Sequence, residues 1–467
     1  MSPETQASKP SESRLAVSRD ELMKITRDII AHGVPVWRKN IDGVMVPIPV
    51  DKLERYIGEN AGEITFYLDA DWKDRIKKRQ EGPVLRSGVA AVLKQLEQYG
   101  DVPQQVDSYR KLSIVDREEI LDSGIEKLNG LKETRTGLDL SVIVGMVEVV
   151  AYTFYTHHAN LEDMTDSPNL RNNIQGIMAK SRWIISILID LLHRGLNSYA
   201  DYNIIEDLTV SSITIDHIIR TLLKYISFCI YYNNYIDQGL VGKNIRAVFR
   251  EKYARYYKRR LDIDNVSLES IFKDGIRRID EASELPDYAM GALLYDMGKL
   301  PDLTYHDSAE MNYDVKLVKK HALNSYNMIL NSQSYPFVVP AMAAFHHEFY
   351  GNKDGYNFTD AILAKLYKTT RDESKTHYYI TFSEKEFING QALAYFPVKV
   401  LEVVDIFDAI KNKKKKSADE ALTIMKKEFI AKSLKIDPVI FAIFLEFNLK
   451  CGLIDKSEFD TIDSMIV

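Results

Sequence analysis

The chain has 467 residues, of which 45% are hydrophobic and 27% are charged. This balance is typical of globular proteins and excludes a disordered or fibrous chain. Because domains usually contain about 100 to 200 residues, we expect two or three of them. The formal net charge of -6 is small for this length, which excludes a chain that binds nucleic acid or membrane with its whole surface.

The cysteines and the apolar stretches indicate a cytoplasmic protein. Only Cys229 and Cys451 occur, both in apolar helical patterns, so we expect buried thiols in a reducing compartment. The first residues are polar and lack the apolar segment of a secretory leader. The longest apolar stretches are shorter than the ~20 residues that span a bilayer. We therefore expect no membrane anchor.

The first part of the sequence predicts a disordered tail over residues 1–20, followed by a small α/β module over residues 21–82. Apolar periodicity predicts a helix over residues 21–32, and the Asp-Gly pair at 42–43 lies between two apolar runs, as in a β-hairpin. The segment EITFYL at 63–68 predicts a further strand. The module carries no residues typical of a catalytic site.

Residues 83–204 have helical periodicity throughout, which predicts a linker or sensor bundle. A capping pattern at Ser113 and Asp116 predicts the start of one of its helices. The bundle contains an adjacent pair, His157 and His158. Because a polar segment follows them, we interpret both as surface histidines at a helix end.

Two carboxylates stand out in the remaining sequence because apolar residues surround them. Asp405 lies inside VKVLEVVDIFDAI, and Asp296 lies in GALLYDMGK, where Gly298 is placed to end a helix. A carboxylate is rarely buried without a partner or a metal ion, since its desolvation is costly. Each of these residues therefore needs a charged or metallic neighbour.

Four histidines accompany these carboxylates in apolar helical segments. Imidazole and carboxylate together form the ligand set of iron, manganese and zinc. Two of the histidines are adjacent and, at ~3.6 residues per turn, point about 100° apart, so they would occupy different corners of one site. Any one histidine alone is more often a hydrogen-bonded core residue, and the order of all four is what indicates a site: His217, His321, His346 and His347.

That order resembles the HD-GYP family, the metal-dependent phosphohydrolase fold that in bacteria acts on cyclic di-GMP. The family has an early His, a His-Asp-x-Gly-Lys step, a lone His, a His-His-Glu run near Gly-Tyr-Pro, and a late Asp-x-x-Asp-Ala. The corresponding segments here are TIDH ending at His217, YDMGK at 295–299, KKH ending at His321, HHEFYGNKDGYN from His346, and DIFDA from Asp405.

The resemblance implies a mostly α protein, with an all-helical HD-GYP-like domain over residues 205–467 and an insertion near 233–281. It implies a cyclic di-GMP phosphodiesterase with one or two divalent ions, iron or manganese. Catalysis would involve Asp296 and Lys299, and substrate would contact Lys299, Gly355 and Tyr356. The implied metal ligands are His217, Asp296, His321, His346, His347 and Asp405.

The sequence departs from the family pattern at several positions, among them Tyr295 and Asn357. Tyr295 replaces the His of the His-Asp pair, and a tyrosine, with a pKa near 10, is a poor ligand unless the metal drives its deprotonation. The first of the family's two metal sites has therefore lost a ligand. Asn357 replaces the Pro of Gly-Tyr-Pro. The alternative function is thus an inactive nucleotide-binding or protein-interaction scaffold in signalling.

The insertion contains KNIRAVFREKYARYYKRRLD, a basic segment with interleaved tyrosines. This composition also occurs in nucleic-acid-binding helices, but an amphipathic helix with a solvated basic face is the more common source. We interpret the run Lys411–Lys416 as a solvated helix end in the same way. The expected partner is cyclic di-GMP or a related nucleotide, with a protein partner and a homodimer left open.

Overall fold

The computed structural model describes residues 14–18, 21–22, 36–39, 45–48, 65–69, 109, 112–134, 140–166, 171–195, 214–261, 265–273, 275–299, 315–350, 355–356, 359, 362 and 378–465. The chain divides into two compact units, Met1–Gln95 and Leu96–Val467. Most described residues are helical, which confirms the mostly α prediction. None of the helices described combines the length and apolar character needed to cross a membrane. The finer boundaries near residues 82 and 204 stay predictions.

The first unit contains a four-stranded antiparallel sheet in the order β1-β4-β2-β3. Alternate residues of its strands are buried, among them Val17, Val36 and Leu68, as the two-residue repeat of a half-buried strand requires. The strands are β1 (Arg14–Val17), β2 (Val36–Lys39), β3 (Met45–Ile48) and β4 (Phe66–Asp69).

The sheet tests three sequence predictions. The β2–β3 pairing confirms the hairpin partners, although its Asp-Gly turn lies outside the described residues, and β4 overlaps the strand predicted at 63–68. Of the helix predicted at 21–32, only residues 21 and 22 are described, and both are helical. The predicted tail over residues 1–20 is wrong for 14–17, because Val17 pairs with Phe66 and is buried in β1.

The structure describes three long helices in the first part of the second unit. As predicted, Ser113 and Asp116 cap the first helix: each backbone N–H bonds to the side chain of the other residue. The first helix packs against both of the others. The three are α1 (Ile114–Thr134), α2 (Leu140–Asp166) and α3 (Arg171–Gly195).

The histidine pair on α2 is not at the surface. His157 and His158 are each 1% exposed and lie in the second half of a 27-residue helix. The Nδ1 of His157 is 2.6 Å from the hydroxyl of Tyr335, and its Nε2 is 2.6 Å from Ser181 Oγ. Our interpretation as surface residues was wrong, because the helix continues to Asp166 and neighbouring segments cover this stretch.

The rest of the unit is a helical assembly with two short parallel strands. Its centre is α4, which packs against α8 and α12, while α10 packs against both α8 and α9. The helices are α4 (Thr214–Asp237), α5 (Phe249–Lys252), α6 (Ala254–Leu261), α7 (Leu268–Ile271), α8 (Leu285–Leu294), α9 (Val315–Ser332), α10 (Val338–Phe345), α11 (Glu384–Ile388), α12 (Phe396–Asp408), α13 (Ala418–Ile424), α14 (Pro438–Lys450) and α15 (Lys456–Asp463); the strands are β5 (Tyr378–Thr381) and β6 (Ala392–Tyr395).

The segment predicted as an insertion, near 233–281, packs onto the core of this unit. Tyr256 and Tyr257 of α6 are fully buried, and the Tyr257 hydroxyl donates to Asp437 Oδ2 at 2.7 Å. The cationic residues on either side of them, Arg255 and Lys258, are exposed. The amphipathic interpretation therefore matches the structure, and the buried rings are not available to stack on bases.

Two smaller predictions also match the structure. Cys229 and Cys451 are buried free thiols. In the run 411–416, Lys414, Lys415 and Lys416 are exposed just beyond the helical segment Ala409–Lys413, as expected of a solvated helix end.

Candidate metal centre

The six residues implied as metal ligands come together inside the second unit. Two groups form, and within each group the potential ligand atoms all lie within 4.8 Å of one another. His347 is partly exposed and the other five are buried. We call them the first cluster (His217, Asp296 and Asp405) and the second cluster (His321, His346 and His347).

Gly298 sets the approach of α9 to the turn that carries Asp296. Helix α8 ends at Leu294, and a short 3₁₀ segment follows at Met297–Lys299. A Cβ on Gly298 would lie 2.4 Å from the carbonyl oxygen of His321 and 2.6 Å from Ser325 N, both backbone atoms. Only glycine therefore allows this contact, which places His321 beside Asp296.

Asp408 is not one of the implied ligands, but it contacts His217 of the first cluster. Its Oδ2 is 2.6 Å from His217 Nδ1, and its Oδ1 accepts from Arg220 Nε at 2.7 Å. Burial opposes ionisation, but His217 and Arg220 hold the pKa of Asp408 well below its usual value. The other ring nitrogen of His217, Nε2, is 3.0 Å from Asp405 Oδ1, so His217 bridges the carboxylates of Asp408 and Asp405.

Tyr295 reaches into the same cluster. Its hydroxyl is 2.9 Å from Asp405 Oδ1, to which it donates, and 2.9 Å from His217 Nε2. Burial, together with the charges of Asp405 and Asp296, raises the pKa of Tyr295 well above 10. The hydroxyl therefore keeps its proton at neutral pH when the cluster holds only protein groups.

The two oxygens of Asp296 face different clusters. Oδ2 forms an ion pair with Lys299 Nζ and lies 3.6 Å from His217 Nε2. Oδ1 lies 3.2 Å from His321 Nε2 and 3.8 Å from His346 Nε2, and no described residue donates a hydrogen bond to it. Burial raises the pKa of Asp296. The combined effect of Lys299, His321 and His346 lowers that pKa by more, so the carboxylate is ionised.

Two histidines of the second cluster, His346 and His347, are held as neutral imidazoles. Nδ1 of His346 is 2.9 Å from the carbonyl oxygen of Ala343, so it donates its proton there and leaves Nε2 as a lone pair. That Nε2 is 3.2 Å from His321 Nε2. Burial lowers the pKa of His346, and burial together with His346 lowers the pKa of His347 well below 6.5.

The second cluster fits a divalent cation. Its closest ligand atoms are 3.2 Å apart, near the spacing of roughly 3.0–3.4 Å expected for atoms that each lie about 2.1 Å from one ion. A buried carboxylate oxygen with no hydrogen-bond donor is costly unless a cation compensates it. Three imidazoles and one such oxygen, on Asp296, are the donor types that iron and manganese accept.

The predicted substrate residues lie on the more open side of the second cluster. The ring of Tyr356 is 4.6 Å from that of His347, and its N–H donates to Glu348 Oε1 at 3.1 Å. A Cβ on Gly355 would lie 2.5 Å from Glu348 Cα, so this loop can follow the His347–Glu348 backbone only with glycine. Lys299 has a side chain 23% exposed. Asn357 lies outside the described residues.

The sequence interpretation missed one residue of the centre, Arg220. It is fully buried on α4, and its guanidinium binds both oxygens of Asp408. Its position could have identified it, because Arg220 follows His217 by three residues and residues three apart share a face of a helix. A buried arginine beside a suspected ligand implies a carboxylate partner.

No known family model and no curated protein matches this sequence. Among solved structures, the chain is similar to one described as Bd1817, a HDG"Y"P protein from Bdellovibrio bacteriovorus. The sequence identity is 9%, the match covers 87% of this chain and 91% of that one, and the TM-score is 0.34. A likeness of this size does not establish a shared fold.

Proposed function

We propose that this chain is a metal-dependent phosphodiesterase of the HD-GYP type that acts on cyclic di-GMP. The observation that carries the proposal is Oδ1 of Asp296, a buried acceptor without a described donor that lies beside His321 and His346. When bound there, a divalent cation supplies Lewis-acid chemistry toward a phosphodiester. The order of motifs in the sequence supports cyclic di-GMP as the substrate.

Four residues would hold the cation: Asp296, His321, His346 and His347. The ammonium group of Lys299 has three N–H donors. One bonds Asp296, and in the proposed complex another holds a phosphate oxygen, so that Lys299 orients the phosphodiester over the second cluster.

Tyr356 and Gly355 would form the nucleotide side of the site. The Tyr356 ring is partly exposed beside His347 and offers a face on which a guanine base can stack. Glu348 fixes the loop by accepting from Tyr356 N and from the hydroxyl of Thr359 at 2.8 Å. The aromatic platform is thereby held in place before a ligand binds.

A second candidate is a nucleotide-binding or protein-interaction scaffold that does not hydrolyse its ligand. Tyr295 favours it, because its hydroxyl bonds Asp405 and His217 where the family has a metal-binding histidine. Two-metal hydrolases use both ions to stabilise the attacking and leaving oxygens. A site with one ion is therefore expected to be slow.

The test is turnover of cyclic di-GMP. The protein is purified without oxygen, supplied with Fe(II) or Mn(II), and assayed by chromatography for the linear dinucleotide and GMP. We expect product, and we expect Asp296→Ala to reduce its rate by at least about 100-fold, because the variant removes a metal ligand. Asp460→Ala, an exposed aspartate on α15, serves as the matched control and should retain the wild-type rate.

Absence of product from metal-loaded protein would contradict the phosphodiesterase proposal. Calorimetric titration with cyclic di-GMP then separates the remaining possibilities. Binding without turnover supports the nucleotide-binding scaffold, whereas the absence of both leaves only a protein-interaction role.

A further inference from the structure

We propose that the first cluster takes no metal ion, because the hydroxyl of Tyr295 and the ammonium of Lys299 already occupy its acceptor atoms. The protein would then bind a single divalent cation, at the second cluster. This inference rests on the proposed metal-dependent function and specifies how many ions that function uses.

The first step is the position of the Tyr295 hydroxyl. His217 Nε2, Asp405 Oδ1 and the hydroxyl oxygen form a nearly equilateral triangle with sides of 2.9, 2.9 and 3.0 Å. The two ligand atoms that a cation would need, His217 Nε2 and Asp405 Oδ1, therefore both contact one phenolic hydroxyl. An ion can enter only if this hydroxyl moves or loses its proton.

The second step is the ion pair between Lys299 and Asp296. Lys299 Nζ binds Oδ2, the Asp296 oxygen that faces His217. In a two-metal centre that oxygen would serve the first ion. Here the ammonium group of Lys299 already supplies a positive charge beside that oxygen.

The two clusters consequently differ in whether their carboxylate oxygens have partners. At the first cluster, Oδ2 of Asp296 is paired with Lys299 and Asp405 accepts a hydrogen bond from Tyr295. The neighbouring Asp408 is paired with Arg220. At the second cluster, Oδ1 of Asp296 has no described donor, and the Nε2 atoms of His321 and His346 lie 3.2 and 3.8 Å from it. Of the two clusters, the second therefore holds the buried acceptor that lacks a described donor, and we expect an added cation to bind there.

The test counts ions on the full chain, using Mn(II) as the probe. The protein is loaded with excess Mn(II), unbound ion is removed by gel filtration, and the metal content is measured by elemental analysis. Electron paramagnetic resonance distinguishes an isolated Mn(II) ion from an exchange-coupled pair. We expect one ion per chain and the spectrum of an isolated ion.

Variants at position 295 show whether Tyr295 keeps a metal ion out of the first cluster or binds the ion as a ligand. Tyr295→His removes the hydroxyl and adds an imidazole, so we expect two ions per chain and a coupled spectrum. Tyr295→Phe removes the donor but adds no ligand, and should stay at one ion. In the Fe(III)-loaded wild type we expect no phenolate charge-transfer band in the visible spectrum, and such a band would overturn the inference.

Variants in each cluster locate the ion. Asp405→Asn should still bind one ion, whereas His346→Ala should bind none, with circular dichroism confirming that both remain folded. Two ions on the wild-type chain, or one ion on folded Tyr295→His, would refute the closed first cluster while leaving the phosphodiesterase proposal intact. No ion on the wild-type chain would instead contradict the proposed function itself.

Discussion

Gly298 is the residue on which the spacing of the centre depends most directly. Its missing side chain lets α9 contact the 3₁₀ segment, and its N–H donates to Ser325 Oγ at 2.8 Å. Any Cβ would meet backbone atoms, which cannot rotate away as the end of a flexible side chain can. The contact therefore couples the shape of the α8–α9 junction to the distance between Asp296 and His321.

We predict that Gly298→Ala lowers the free energy of unfolding by about 1–3 kcal/mol or more, the usual cost of overpacking a buried site. It should also weaken Mn(II) binding, because α9 must shift and carry His321 with it. Gly242→Ala is the control, since nothing lies within 4 Å of a Cβ built there. Urea unfolding and Mn(II) titration check both effects; equal stability of the two variants would contradict the steric argument.

Sequence alone predicts the identity of the site residues better than their contacts. The motif order identified His217, Asp296 and Asp405, and it singled out Tyr295 as a departure. It could not show that the Tyr295 hydroxyl bonds Asp405, 110 residues later in the chain. Such contacts depend on how distant helices pack, and a local pattern does not encode that packing.

At the scale of elements, His157 connects three segments that carry different parts of the molecule. It lies on α2, bonds Ser181 on α3, and bonds Tyr335 in the turn between α9 and α10, the helices that lead to the second cluster. The sequence showed the long helical stretch but not what covers it. Burial of a histidine in mid-helix depends on neighbours supplied by other elements, so this placement could not be predicted locally.

This link predicts a pH dependence of stability. Burial lowers the pKa of His157 from 6.5 to about 4. The unfolded chain takes up a proton as the pH falls below 6.5, but the folded chain does so only near pH 4. The free energy of unfolding therefore decreases as the pH falls from 6.5 to 4, by up to about 3 kcal/mol from this group.

The measurement is urea unfolding across that pH range. His157→Gln should lose the contribution of this group and show a shallower dependence on pH than the wild type. His193→Gln, which changes a histidine whose side chain is 52% exposed, should keep the wild-type slope. A His157→Gln slope equal to that of the wild type would mean that His157 titrates normally in the folded protein.

At the scale of the whole molecule, the insertion is part of the core of the second unit. Tyr257 from α6 and Tyr350 both donate to Oδ2 of Asp437, whose Oδ1 accepts from Val439 N and Ile440 N and so caps α14. The sequence located the insertion by its excess length. It did not show that the insertion's tyrosines supply donors to a buried carboxylate near the end of the chain.

We predict that Tyr257→Phe lowers the free energy of unfolding of the second unit by about 1–3 kcal/mol, because it removes a donor from the buried Asp437. Lys258→Ala, at the neighbouring exposed position, should change it by less than about 0.5 kcal/mol. Thermal unfolding followed by circular dichroism is the measurement. If the main transition does not move in Tyr257→Phe, the insertion unfolds as a separate lobe.

The contact between His217 and Asp408 can form only late in the synthesis of the chain. The two residues are 191 positions apart, and a ribosome adds roughly 5–20 residues per second, so α12 follows α4 by about 10 to 40 s. Throughout that interval His217 and Arg220 lack Asp408, the carboxylate that contacts both of them in the folded protein. The face of α4 that packs against α12 can therefore be covered only after α12 has been made, when most of the protein has been synthesised.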